Sequence, residues 1–151
     1  MGFDLYGVDA RSKKGEYFRN NIWWWRALAE YVLEHVSFED NDGSGWSTNS
    51  GYVVSAHSAL KIAHGLDALL TSGAVSEYSR RRRARLKALP DDPCLLCKGS
   101  GQRNDEIVVG KCNGCDGKGS ARPWATWYPF SVENVRSFAR FCRESGGFEI
   151  R

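Results

Sequence analysis

Four cysteines form the densest group of reactive side chains in this sequence. They lie in two octapeptides, Cys94-Leu95-Leu96-Cys97-Lys98-Gly99-Ser100-Gly101 and Cys112-Asn113-Gly114-Cys115-Asp116-Gly117-Lys118-Gly119, each of the form Cys-x-x-Cys-x-Gly-x-Gly. Two residues between cysteines let one tight turn aim both sulfurs at the same point. Two such turns facing each other make an S4 cage, the tetrahedral thiolate geometry of structural zinc. Fourteen residues separate Cys97 from Cys112, just below the usual spacing of the paired Cys-x2-Cys pattern. Gly99, Gly101, Gly117 and Gly119 reach positive φ at little steric cost, which lets the chain curl around a metal. The spacing therefore predicts one structural Zn2+ on Cys94, Cys97, Cys112 and Cys115. Four thiolates leave no position for a reacting water, so a catalytic zinc is not expected. The competing readings are four unrelated buried thiols, or a redox-active Cys-x-x-Cys, which would call for one pair rather than two.

The doubled octapeptide resembles the cysteine-rich zinc-finger region of DnaJ (Hsp40) chaperones. That region carries four such repeats and two zinc ions, so two repeats here imply one zinc. The resemblance covers 26 of 151 residues, and no His-Pro-Asp tripeptide of a J-domain is present. The ends of the chain, Met1-Gly2-Phe3-Asp4-Leu5-Tyr6-Gly7 through Trp23-Trp24-Trp25-Arg26 and Ser145-Gly146-Gly147-Phe148-Glu149-Ile150, look like small uncharacterised proteins of phages and bacteria. That likeness implies an origin and no activity.

Two further groups have residue types suited to binding. Arg80, Arg81, Arg82, Arg83, Arg85 and Lys87 form a basic run that could meet phosphates of RNA or DNA, or stand as a solvated helix face. Trp23 and Trp24, with Asn20, Asn21 and Arg26 beside them, could line a small-ligand or nucleotide pocket, whereas core packing is the ordinary fate of tryptophan. A second aromatic cluster runs from Trp124 to Tyr128. His57 and His64 share a helical face, but no carboxylate or cysteine nearby completes a metal-ligand set. Asp40-Asn41-Asp42-Gly43 fails as a calcium loop, because Asn49 falls where a bidentate glutamate is required. No phosphate loop, nucleophile elbow or metalloprotease helix occurs, so an enzyme is not expected.

These residues must be held by something. Hydrophobic residues make up 42% and aromatics 13%, enough for a packed core in a single domain with 94–119 as a zinc lobe. No apolar run reaches the ~18 residues of a membrane span. The first fourteen residues lack the apolar stretch of a secretory signal, and five cysteines without one favour metal ligation in a reducing cytoplasm. Charge is uneven: residues 1–79 hold 6 basic and 10 acidic side chains, and residues 80–151 hold 15 and 8. A basic half favours an acidic partner.

The expected architecture is α+β, mainly helical, with a small sheet from the termini and an inserted zinc knuckle. Phe3 and Leu5 alternate as a first strand. A helix begins near Ile22, capped by Asn20 or Asn21, with Trp25, Leu28, Ala29, Val32 and Val36 inward. Neighbours on a helix are 100° apart, so three consecutive tryptophans cannot all be buried on one face. Residues 10–15 and 37–51 read as loops. Ser55 caps a helix to about Leu70 that Gly73 ends, and another helix runs from Ser76 to Leu89 before Pro90. Ser131 caps a last helix with Val135, Phe138, Ala139 and Cys142 inward. Phe148 and Ile150 alternate as a final strand beside the first. The zinc is expected to fix the Trp124–Phe130 connector against the core. The reading that follows is a non-enzymatic, zinc-stabilised binding protein of phage or bacterial origin, acting on a host protein or protein–nucleic-acid complex, with inhibition of host defence as a role. The alternatives are a binder of nucleotides or small ligands, or a minimal DnaJ-like chaperone module.

Overall fold

The computed structural model describes residues 2–151 and has an α+β architecture. The chain divides into two compact units, one of residues 1–82 with 128–151 and one of residues 83–127.

In the first unit the two ends of the chain meet. Strand β1 (Gly2–Gly7) pairs antiparallel with β8 (Phe148–Ile150), placing Leu5 opposite Ile150. Two more strands flank them, β2 (Tyr17–Asn21) beside β1 and β3 (Tyr52–Val54) beside β8, giving the order β2-β1-β8-β3. Phe3, Leu5, Val54, Phe148 and Ile150 are buried on one face of this sheet, as the period of two along a strand requires. The flanking strands escape the pattern in the sequence for separate reasons. In β2 the inward positions are Phe18 and Asn20, and a buried asparagine breaks the apolar alternation. Its amide donates to the Asn134 side-chain carbonyl at 3.1 Å, so the inward polar group is satisfied. β3 is three residues long, too short for any periodicity.

Three helices cover the sheet, and each starts where a side chain supplies a cap. Asn21 accepts from the Trp24 N–H at the start of α2 (Ile22–His35), Ser55 from the Ser58 N–H at the start of α4 (Ala56–Thr71), and Ser131 from the Asn134 N–H at the start of α6 (Val132–Glu144). Their inward stripes are those that helical spacing predicts: Trp25, Leu28, Ala29 and Val32; Ala59, Ile62, Ala63 and Leu66; Val135, Phe138, Ala139 and Cys142. Of the three consecutive tryptophans only Trp25 is fully buried. Cys142 is a core residue, and burial raises its thiol well above the usual range, so it stays protonated and unreactive.

The two segments expected as loops hold short helices, α1 (Lys13–Glu16) and α3 (Gly43–Trp46). At α1 the packing is backbone on backbone. A Cβ on Gly7 would stand 2.0 Å from the Gly15 carbonyl oxygen, and one on Gly15 would stand 2.1 Å from that of Glu144. α3 delivers Trp46 into the core, where its ring stacks on Trp25 at 5.6 Å between centroids. The Trp25 indole N–H donates to the Trp46 carbonyl at 2.8 Å.

Helix α5 (Ala74–Ala88) follows Gly73, whose φ of +82° ends α4, and carries the chain into the second unit. That unit has two small ribbons. β4 (Asp92–Pro93) pairs with β7 (Ser120–Ala121), and β5 (Gln102–Asn104) pairs with β6 (Val109–Lys111). Arg122 fastens the β4–β7 ribbon to the end of α5: its guanidinium donates to the Leu86 and Leu89 carbonyls at 2.6 and 2.8 Å and pairs with Asp91. Leu86 lies in the last turn of α5, where carbonyls lack the regular helical partner, and its carbonyl also accepts from the Leu89 N–H at 3.4 Å. No described helix is long and apolar enough to cross a membrane.

Candidate metal centre

The second unit contains an octapeptide repeated at an offset of eighteen residues, and the backbone hydrogen bonds of the two copies repeat accordingly. Cys94 N–H donates to the Gly119 carbonyl at 2.8 Å, and Cys112 N–H to the Gly101 carbonyl at 2.9 Å. Within each repeat the N–H five residues beyond the first cysteine closes a turn back onto it, Gly99 to Cys94 at 3.2 Å and Gly117 to Cys112 at 3.0 Å. The turns need left-handed backbone, and Lys98 and Asp116 adopt it at φ of 52° and 54°, followed by Gly99 and Gly117 at 87° and 76°. Gly101 and Gly119 then bring their N–H groups to the sulfurs of Cys97 and Cys115, both at 3.2 Å. A hydrogen bond from backbone to sulfur favours the thiolate.

All four sulfurs lie within 4.8 Å of one another and all four residues are buried. The nearest approaches run across the repeats, Cys97 to Cys115 at 3.7 Å and Cys94 to Cys112 at 4.0 Å. A tetrahedral zinc with Zn–S bonds of about 2.3 Å puts its ligand sulfurs about 3.8 Å apart. The cysteines are free thiols, and the tetrad fits a single structural zinc ion. The proton chemistry agrees. Burial raises the Cys97 thiol, but the Gly101 N–H and the three neighbouring thiols outweigh it and hold Cys97 at about 6. Cys115 is pushed up to about 11, by burial first, with the Gly119 N–H opposing. One thiolate forms readily in the group and further ones are resisted, and a divalent cation removes that resistance. Zinc held by these four residues supplies a cross-link between the repeats, with every coordination position filled by protein.

The close approach of the two repeats also explains two glycines. A Cβ on Gly101 would lie 2.5 Å from the Gly117 carbonyl oxygen, and one on Gly119 would lie 2.4 Å from that of Gly99. Both residues have positive φ, 74° and 75°. Left-handed backbone alone costs an ordinary residue about 1–2 kcal/mol, and about 1.4 kcal/mol is tenfold in affinity. Gly101→Ala and Gly119→Ala are each expected to weaken zinc retention at least ~10-fold, read by competition with a chromogenic chelator. Retention equal to that of the parent protein would show that the repeats do not need this approach.

The other residues singled out in the sequence are dispersed. In the basic run, Arg82 is buried rather than solvated: it donates to the Tyr128 carbonyl at 2.8 Å, and its Nε has no partner among the described residues. Arg80 and Arg81 both pair with Glu77, at 2.6 and 3.4 Å. Arg83, Arg85 and Lys87 are exposed in the second unit. Asn20 is buried against Asn134, Asn21 is spent on the α2 cap, and Trp24 is half-buried. Trp23 packs on Tyr128 with centroids 5.3 Å apart, and Arg26 donates to the Tyr128 hydroxyl at 2.9 Å. Arg26 also borders a cavity of about 250 Å³ among Phe3, Trp25, Leu33 and Trp46. Trp124 and Trp127 pack on each other at 4.7 Å and remain 56% and 51% exposed, so these two rings are not core residues. His57 and His64 are exposed, with His57 3.6 Å from Glu39. No family model, no curated protein and no solved structure matches this chain.

Proposed function

We propose that this chain is a non-enzymatic binding protein whose zinc unit presents a docking surface to another protein. The observation that carries the reading is the placing of large aliphatic side chains on that unit. Leu95, Leu96, Ile107 and Val109 are 91%, 59%, 85% and 81% exposed, while the four cysteines fill its interior. Single exposed aliphatics are ordinary on a protein surface, but four on so small a unit can supply the apolar patch that marks partner binding. Arg83, Arg85 and Lys87 add positive charge to the same unit, which favours an acidic partner. The closed tetrad supports the non-enzymatic part, since it keeps no position for substrate. On this reading the origin is a phage or a bacterium, and the target is a host protein, or a host protein–nucleic-acid complex, in the bacterial cytoplasm. Inhibition of a host defence system is the role in keeping with such an origin. The same aliphatics would serve a DnaJ-like module that holds unfolded chains.

The test is capture from a bacterial lysate at low salt, comparing the zinc-loaded protein with a Leu95→Asp, Ile107→Asp double variant. A host protein enriched at least ~10-fold by the parent and lost with the variant is expected. No enrichment over the tag alone, or enrichment the variant keeps, would overturn it. If the variant instead abolishes suppression of aggregation of a denatured enzyme, the partner is an unfolded chain. A second reading, a small and mainly apolar ligand, is favoured by the cavity among Phe3, Trp25, Leu33 and Trp46, which Arg26 and Glu30 both border. Saturable quenching of tryptophan fluorescence, reduced by Arg26→Ala, would support it.

A further inference from the structure

The first unit contains a basic cleft assembled from residues far apart in sequence. It lies between α1, β2 and α6, encloses about 510 Å³, and is bordered by Lys14, Tyr17, Arg19, Arg136, Arg140 and Arg143. Against these five cations the lining has two carboxylates, and both are engaged: Asp67 pairs with Arg143, and Glu133 pairs with Arg136 at 2.5 Å. Arg19 has Asp4 at 3.5 Å. Lys14 and Arg140 are exposed and have no acidic partner among the described residues. The cleft is therefore net positive after its internal pairs are made. Arg136, Arg140 and Arg143 recur at intervals of four and three, which places them on one face of α6 and spreads their charge over about 10 Å of helix. A row of cations along a groove suits a chain of negative charges better than a single ion.

The cleft also has an aromatic rim. Tyr17 borders it at 44% exposure, and Tyr6 stands beside Tyr17 with ring centroids 5.2 Å apart and 43% exposed. A basic groove that tracks a backbone, with aromatic rings on which bases stack, is the arrangement that holds single-stranded nucleic acid without reading its sequence. We propose that this cleft binds the sugar-phosphate backbone of a single-stranded nucleic acid, with Lys14, Arg19, Arg136 and Arg140 on phosphates and Tyr17 stacking a base. The site belongs to the first unit and owes nothing to the zinc or to the aliphatics of the second unit.

The test uses the zinc-loaded full chain and a labelled mixed-sequence DNA strand of about twelve nucleotides, followed by fluorescence anisotropy. Binding is expected to weaken with salt, with a slope in log affinity of about −0.7 for each phosphate neutralised. Lys14→Glu with Arg140→Glu should reduce affinity at least ~10-fold and flatten that slope. These two side chains are exposed and unpaired, so the variant should fold, which circular dichroism checks. Tyr17→Ala should weaken binding by about fivefold or more while leaving the salt slope unchanged. The Leu95→Asp, Ile107→Asp variant should bind the strand as the parent does, so failure of the docking surface and failure of the cleft are read separately. No binding at low salt, binding unaffected by the charge-reversed pair, or tighter binding to the matching duplex would each overturn the proposal.

Discussion

Cys112→Ser is expected to unfold the second unit and leave the first intact. The reason lies in what each unit has for a core. Residues 83–127 contain one buried cluster, and it consists of the four cysteines; Leu95, Leu96, Ile107 and Val109 face water, and Leu86, Leu89 and Val108 are only half-buried. With no apolar interior, the repeats are held by zinc, by short ribbons of two and three residues, and by turns. Structural zinc contributes on the order of 10 kcal/mol or more in small fingers, far above anything else present in this unit. A serine at the fully buried position 112 leaves three thiolates around an ion that prefers four. Hydrogen exchange should show amides of residues 92–121 losing protection in the variant, or in the parent after chelation. The helical signal from α2, α4 and α6 should persist, since their buried faces draw on aromatic and aliphatic residues of the first unit. Protected amides across 92–121 after chelation would sink this account, and so would general loss of helix.

Trp46→Ala should be the most damaging single substitution of the first unit's core. Trp46 is 1% exposed and packs by stacking on Trp25, by a tilted contact with Phe38 at 5.7 Å, and edge-on against Phe138 and Phe148 at 6.1 and 6.0 Å. Removing such a ring from a core costs about 3–5 kcal/mol, a large part of the 5–15 kcal/mol by which a domain is typically stable. Urea unfolding of the zinc-loaded protein, followed by circular dichroism, measures the change. Trp46→Phe should lose much less. It keeps a ring against Trp25, and it removes an indole N–H that is buried with no partner among the described residues, a group that costs about 1–3 kcal/mol when left unsatisfied. A loss below about 1 kcal/mol for the alanine variant would mean that the segment around α3 contributes little to the folded state.

Much of the architecture could be read from local pattern. The spacing of Cys94, Cys97, Cys112 and Cys115 named the metal ligands because a thiolate cage depends on turn geometry, and turn geometry is written in neighbouring residues. The caps at Asn21, Ser55 and Ser131 and the apolar stripes behind them placed α2, α4 and α6, since both signals lie within a few turns of chain. The alternation of Phe3 with Leu5 and of Phe148 with Ile150 marked two strands that do pair.

Tertiary structure decided the rest, because it depends on separations that periodicity does not carry. Trp46 sits alone in a glycine- and serine-rich stretch, and only its meeting with Trp25, Phe138 and Phe148 makes it core. Gly7 and Gly15 are indispensable through the close approach of three backbones from distant parts of the chain. Charge followed the same rule. Arg80–Arg83 is the most basic contiguous run in the sequence, yet Glu77 engages two of its members and burial takes Arg82. The basic cleft comes instead from the pair Lys14 and Arg19 and the pair Arg136 and Arg140, which the sequence keeps more than a hundred positions from each other and the packing of α6 beside α1 and β2 brings together. A thiol cage is built by its neighbours in sequence, whereas an electrostatic surface is built by whatever the fold sets side by side.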